Sequence, residues 1–280
     1  MLKSVSPELW AFDAEWVPDP ASGRAVYDLP ASMHDDEVID EMWRRGGATE
    51  ADPHPYLKTV LCRVVSIAFV RRRVGDDGAV ALSLHSLPTP ADDPGDERAI
   101  LQRFLTLIHE KQPQLVGYNS RSADAMILVQ RGLAHAIVAP GFARRPDKPW
   151  NGMDYFASHS EAHVDLRDIV SAWGRGTPTL NEIARVCGIP GKLDVDGTSV
   201  VSLWNDGDWR SIVRYNECDA LTTYLLWLRA ALMSGFVSPD EFAAEEGQLE
   251  ALLTERTSDP EHPHAARFLQ AWTARPGLRG

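Results

Sequence analysis

A chain of 280 residues, 44% hydrophobic and 24% charged, is long enough to bury a substantial core and ordinary in composition for a globular protein. Its net charge of −12 excludes a protein that coats duplex nucleic acid through a broad basic face, and no stretch approaches the ~18 consecutive apolar residues of a membrane-spanning helix. The three cysteines, Cys62, Cys187 and Cys218, lie far apart with no CxxC pair; this excludes a disulfide framework or cysteine zinc site and predicts a reducing, cytoplasmic setting. The opening MLKSVSPELW lacks the apolar centre of a secretory signal, so none is expected.

In chain order, Glu8 to Glu15 reads as a β-strand that runs into two acids. Strand side chains alternate with a period of two, so Asp13 and Glu15 leave the backbone on the same side. Two carboxylates that close repel, and burial worsens the repulsion. A cation between them makes a site; a solvated strand end is the plainer reading of the same pattern. The stretch from Val17 to Lys58 is polar and rich in Pro, Gly and Asp. It predicts a long insertion beside the strand end, mobile or a lid, with a short helix around Asp35 to Arg45. Thr59 to Arg72 and Ala79 to Leu87 are rich in β-branched residues, with Gly75-Asp-Asp-Gly78 as a turn between them. They predict an antiparallel hairpin continuing from the first strand.

Pro94 to Gln112 carries Ile100, Leu101, Phe104, Leu105 and Ile108 at helical spacing. Gln114 to Tyr118 predicts a short buried strand ending at Asn119, followed by a helix from about Ala123 to His135. Phe142 to Ser160 is a second long loop, and Val164 to Leu166 a last short strand. Thr179 to Cys187 predicts a compact helix closed by Gly188, and Asp208 to Ser234 a long helix stopped by Gly235. Beyond Pro239 the pattern is helical and more charged. Antiparallel strands followed by a strand–helix alternation predict a mixed α/β sheet flanked by helices. The expected division is a domain over 1–235 and a helical extension over 236–280.

Further acids stand at two of these junctions. Asp124 opens a helix directly after a buried strand, where the helix dipole alone also favours an acid. Tyr215 and Asp219 are four apart and share a helix face beside Ile212 and Val213. A carboxylate among apolar neighbours is costly unless paired or coordinated, although a pair on the helix surface shows the same spacing.

Taken together, a D-x-E strand, an N-x4-D strand-to-helix junction and a Y-x3-D late helix resemble the DEDD-type 3′–5′ exonucleases, the tyrosine pointing to their DEDDy branch. FDAEWVPD, LVGYNSRSADAMIL, HVDLRDIV, LNEIARVCGIPGK and DVDG resemble the predicted exonucleases related to the exonuclease domain of family B DNA polymerases, over about Leu9 to Leu232. The resemblance implies a ribonuclease H-like fold and metal-dependent removal of nucleotides from 3′ ends. It implies that Asp13, Glu15, Asp124 and Asp219 hold the metal and that Tyr215 positions the attacking water. By the same inheritance Asp13 bridges two ions, Glu15 and Asp219 serve the ion that activates water, and Asp124 acts mainly through solvent. Trp16 replaces the small hydroxyl residue often found there. Its N–H can still meet a 3′-OH, and its ring either stacks on the terminal base or packs.

An all-carboxylate set suits the hard ions Mg²⁺ or Mn²⁺. Two such ions about 3.5–4 Å apart stabilise both the attacking and the leaving oxygen of a phosphodiester. The expected partner is the 3′ end of a single strand, DNA ahead of RNA; nothing visible reads a 2′-OH, so the residues themselves leave that choice open. Asn119, Arg121 and Lys192 are candidate phosphate contacts, ordinary solvated charge being the plainer reading of the two cations. His163 and Asp165 are expected to be a structural hydrogen-bonding pair. RNA 3′-end trimming is the rival activity. A non-catalytic nucleic-acid-binding protein of the same fold is the rival from another class, and a binding module gains little from repelling carboxylates.

Overall fold

The computed structural model describes residues 2–148, 150–158, 160–172, 174–191, 193 and 199–274. Lys192 and the DVDG stretch at 194–197 therefore lie outside the described residues. The chain opens with β1 (Glu8–Pro18), followed by α1 (Pro20–Tyr27), α2 (Asp35–Gly46) and a 3-10 turn at Thr59–Leu61. Next come β2 (Cys62–Val74), β3 (Val80–Leu87), α3 (Glu97–Lys111), β4 (Gln114–Gly117), α4 (Asp124–Ala134) and α5 (Pro140–Ala143). The remaining elements are β5 (His163–Asp165), α6 (Leu166–Ser171), α7 (Leu180–Val186), α8 (Ser199–Asn205), α9 (Trp209–Met233), α10 (Pro239–Arg256) and α11 (Pro263–Thr273).

Among the described residues the five strands form one mixed sheet in the order β3-β2-β1-β4-β5. β2 is antiparallel to β1 and β3, while β4 and β5 run parallel to β1. This is the mixed α/β sheet, antiparallel strands first and parallel ones after, that the order of strands and helices predicted. β1 is central, so both its faces are apolar. Leu9 and Ala11 pack with Leu221, Tyr224 and Trp227 of α9 on one side. On the other, Trp10, Phe12 and Ala14 pack with Leu101 and Phe104 of α3 and Ile127 and Leu128 of α4. Trp10 stacks on Phe69 of the neighbouring strand, with centroids 4.4 Å apart.

The segment after β1 contains the helix expected around Asp35 to Arg45, as α2, and differs from the expected loop in a second helix, α1. It folds into α1 and α2, and Val38 and Met42 are fully buried in the same core cluster as Leu101 and Phe104. Asp19 caps α1 by accepting the Ala21 N–H at 3.2 Å, ahead of Pro20 in the first turn. Gly23 disguises this helix in the sequence, and packing explains it: a Cβ there would lie 2.4 Å from the Met42 sulfur.

The helices after Gly235 pack against α9. Leu249, Leu253, Ala265, Phe268 and Trp272 are buried in the same core as Leu221 and Tyr224. No helix among the described residues is long and apolar enough to cross a membrane. The three cysteines are free thiols.

Candidate active site

β1 outruns its parallel neighbour, and the site forms where it does. Pairing with β4 covers only Leu9 to Ala11. Beyond it, the N–H of Ala14 needs another acceptor, as every buried backbone donor does. Asp124 supplies one, with Oδ1 at 2.9 Å. The turn that brings Asp124 there is tightly specified. Gly117 ends β4 where a Cβ would lie 2.4 Å from Ser120, and Asn119 takes a left-handed φ of 61°.

Asp165, at the end of β5, holds this turn from the neighbouring strand. Its Oδ1 accepts the N–H groups of Asn119 (2.7 Å) and Arg167 (3.0 Å), and its Oδ2 that of Arg121 (3.0 Å). His163 Nε2 lies 2.8 Å from Ser120 Oγ. Burial, with the Arg121 charge, pushes the imidazole down to about 4, so it is neutral at ordinary pH. His163 and Asp165 are thus structural, as expected, but each bonds to the 119–121 turn.

The third wall is α9. Asp208 caps it by accepting the Ser211 N–H at 3.2 Å, and most of its length is buried, the polar Asn216, Glu217, Thr222 and Thr223 included. Tyr215 and Asp219, one turn apart, are 8% exposed each and face the odd-numbered side of β1. Between Glu15 and Trp16 the pairing of β1 with β2 slips by a residue, leaving Val65 as a bulge. Val65, Val17, Val200 and Ile212 form the apolar bed of Tyr215.

One carboxylate oxygen from each of Asp13, Glu15 and Asp219 lies within 4.8 Å of the others. The Tyr215 hydroxyl hydrogen-bonds Asp219; burial, and then the charges of Asp219, Glu15 and Asp13, hold the phenol's pKa far above its usual range. Asp124 is apart from the trio and 4% exposed. Burial pushes its pKa up to about 7, with Asp165 and Asp219 adding repulsion that the Ala14 N–H opposes. A trio of converging oxygens without nitrogen or sulfur is a donor set that fits a hard divalent ion such as Mg²⁺ or Mn²⁺.

The acids open onto a cleft. A cavity of about 300 Å³ is bordered by Asp13, Glu15, Trp16, Asn119, Asp124 and Asp219. A second, of about 770 Å³, continues past Tyr118, Arg167, Pro178, Thr179 and Asn181. The structure therefore gathers Asp13, Glu15, Asp124, Tyr215 and Asp219, and places Trp16 and Asn119 beside them. Trp16 is half-buried and also packs against the core.

Arg121 is a correction: its guanidinium donates to the carbonyls of Ser158 (3.1 Å) and His163 (2.6 Å), and it borders neither cavity. Its cation braces the turn instead of facing a phosphate. Three cleft residues were not singled out from sequence: Tyr56, Tyr118 and Arg167. Arg167 had a readable signal, since it follows a parallel strand at the carboxyl edge where ligands gather. Tyr56 had none, because it sits in the polar segment before β2.

A family model described as "Predicted 3'-5' exonuclease related to the exonuclease domain of PolB" matches residues 54–272. That match takes in Asp124, Tyr215 and Asp219 and leaves out Asp13 and Glu15, which the fold brings beside them. No curated protein matches the chain. Among solved structures, the family B DNA polymerase from the hyperthermophilic archaeon Pyrobaculum calidifontis is similar over 92% of this chain, at 19% identity and a TM-score of 0.45. The chain spans 27% of that polymerase. By the match over residues 54–272, the chain belongs to the family of predicted 3′–5′ exonucleases related to the exonuclease domain of PolB.

Proposed function

We propose that the protein removes nucleotides one at a time from the 3′ end of single-stranded DNA, with two divalent ions, Mg²⁺ or Mn²⁺, held by Asp13, Glu15, Asp124 and Asp219. The observation that carries this reading is the convergence of three carboxylate oxygens from β1 and α9 within 4.8 Å, with Tyr215 bonded to one of them. Like charges so placed are mutually repulsive unless cations compensate them. When bound, such ions stabilise the charge on the attacking and leaving oxygens and lower the pKa of water. The role of Tyr215 is orientation, since a phenol whose pKa is pushed up so strongly keeps its proton and offers a donor. The choice of DNA rests on the family's relation to a DNA polymerase domain.

The test uses 5′-labelled DNA and RNA strands, with Mg²⁺ or Mn²⁺ and with chelator. A descending ladder from DNA that chelation abolishes is expected. Undiminished cleavage in excess chelator overturns the metal reading, release only from the 5′ end overturns the polarity, and RNA cleaved faster than DNA reverses the substrate choice. Asp13→Ala and Asp219→Ala should each abolish turnover and the stabilisation by Mn²⁺ in thermal melts.

A further inference from the structure

The two cavities share Tyr56, Tyr118, Asn119, Ser122 and Asp219, so a strand whose end lies at the carboxylates can continue into the larger one. Two side chains along that path suit a single strand. Tyr56 is 72% exposed yet borders both cavities, and an aromatic ring standing free beside a groove is how bases are held without regard to sequence. Arg167 is, among the described residues, the one cation bordering either cavity. Its Nη1 lies 3.1 Å from Asn119 Oδ1, which steadies the guanidinium at the rim. The smaller cavity is bordered by four acids, Asp13, Glu15, Asp124 and Asp219, so an incoming phosphate needs a compensating charge close by.

We infer that Tyr56 and Arg167 form a subsite for the penultimate nucleotide. Tyr56 stacks on that nucleotide's base, and Arg167 pairs with the phosphate on its 5′ side. This inference rests on the exonuclease reading and adds what that reading lacks: the enzyme grips the strand one nucleotide behind the bond it cuts. Substrates with no base or no charge at that point bind poorly for a reason unrelated to the acids.

The experiment measures release of the 3′-terminal nucleotide from a single strand by wild type, Tyr56→Ala, Tyr56→Phe, Arg167→Ala and Arg167→Lys. Each protein is given three strands: one natural, one abasic at the penultimate position, and one with an uncharged methylphosphonate on that nucleotide's 5′ side. Base–aromatic stacking contributes about 1–3 kcal/mol, so Tyr56→Ala should raise KM by roughly ten-fold on the natural strand and leave kcat nearly unchanged. That defect should vanish on the abasic strand and persist on the methylphosphonate. Tyr56→Phe keeps the ring and should resemble wild type. Arg167→Ala should show the complementary pattern, its defect vanishing on the methylphosphonate, and Arg167→Lys should restore part of it. Losses that are equal on all three strands, or a Tyr56→Phe as defective as Tyr56→Ala, overturn the subsite. Wild type without metal-dependent release overturns the exonuclease reading itself.

Discussion

Asp124 combines three features that pull in different directions: deep burial, a backbone hydrogen bond and two neighbouring carboxylates. Burial dominates and leaves its pKa at about 7, above the ordinary carboxylate range. A group whose folded pKa is raised stabilises the fold fully below its unfolded value, near 4, and loses that contribution as pH rises through the folded value. Metal-free protein should therefore weaken between about pH 4 and pH 7, by on the order of a few kcal/mol from this group. Asp124→Asn retains the oxygen that accepts from Ala14 and deletes the charge. In chelator it should flatten the profile and exceed wild type in stability at pH 8. Added Mn²⁺ should reverse that order, because only the ionised acid assists an ion. Urea midpoints against pH decide it; profiles of equal steepness in the two proteins would remove Asp124 as the source.

At the scale of elements, the α1–α2 segment is fastened by a buried network. Arg131 of α4 donates to both oxygens of Glu97 (2.8 and 2.6 Å) and to Ser22 Oγ (2.7 Å), and lies 3.0 Å from Asp19. Glu97 also accepts the Val64 N–H at 2.7 Å, joining the network to β2. Replacing one partner of a buried ion pair leaves the other charge uncompensated, at a cost of about 3–5 kcal/mol. Arg131→Met should lose about that much, and hydrogen exchange should quicken in residues 20–46 more than in β1. Uniform quickening would mean that the network holds the whole fold and not this segment.

The network also shows why sequence reading worked for some elements and failed for others. β1, β4 and α9 announce themselves through local sequence pattern, and the acids stand within them or, for Asp124, shortly after β4. α1 does not, because its glycine is explained only by residues of α2, Met42 and Val38, far along the chain. Arg167 is signalled by its place just after a parallel strand, whereas the position of Tyr56 follows from long-range packing and leaves no local pattern. Arg121 was misread for the same reason: beside Asn119 in sequence, it points to carbonyls of the loop before β5 and at its start.

For the whole molecule, the decisive question is whether residues 236–274 belong to the body that carries the site. α9 has two sides to satisfy. Tyr215 and Asp219 face β1 at the cleft, while Tyr224, Trp227 and Leu228 share a core with Leu249, Leu253, Phe268 and Trp272 of the last two helices. Glu245 of α10 accepts from Arg72 of β2 at 2.6 and 2.8 Å and from the Tyr224 hydroxyl at 2.7 Å, all within the interior. Fully burying Leu249, Leu253 and Phe268 contributes about 4.5–9 kcal/mol at most, and Trp272 adds to it. Domain stabilities are about 5–15 kcal/mol in all, so removing these helices takes away a share comparable to the total. It also strands the Arg72 guanidinium without its carboxylate. A chain ended at Gly235 should therefore lose cooperative unfolding, bind hydrophobic dye and release no nucleotide. The double change Arg72→Met with Glu245→Leu in the full-length chain should stay folded, because it removes both charges together and keeps the apolar contacts. A cooperative melt from the shortened chain, near the full-length midpoint, would make the last helices an independent appendage and the domain end at residue 235.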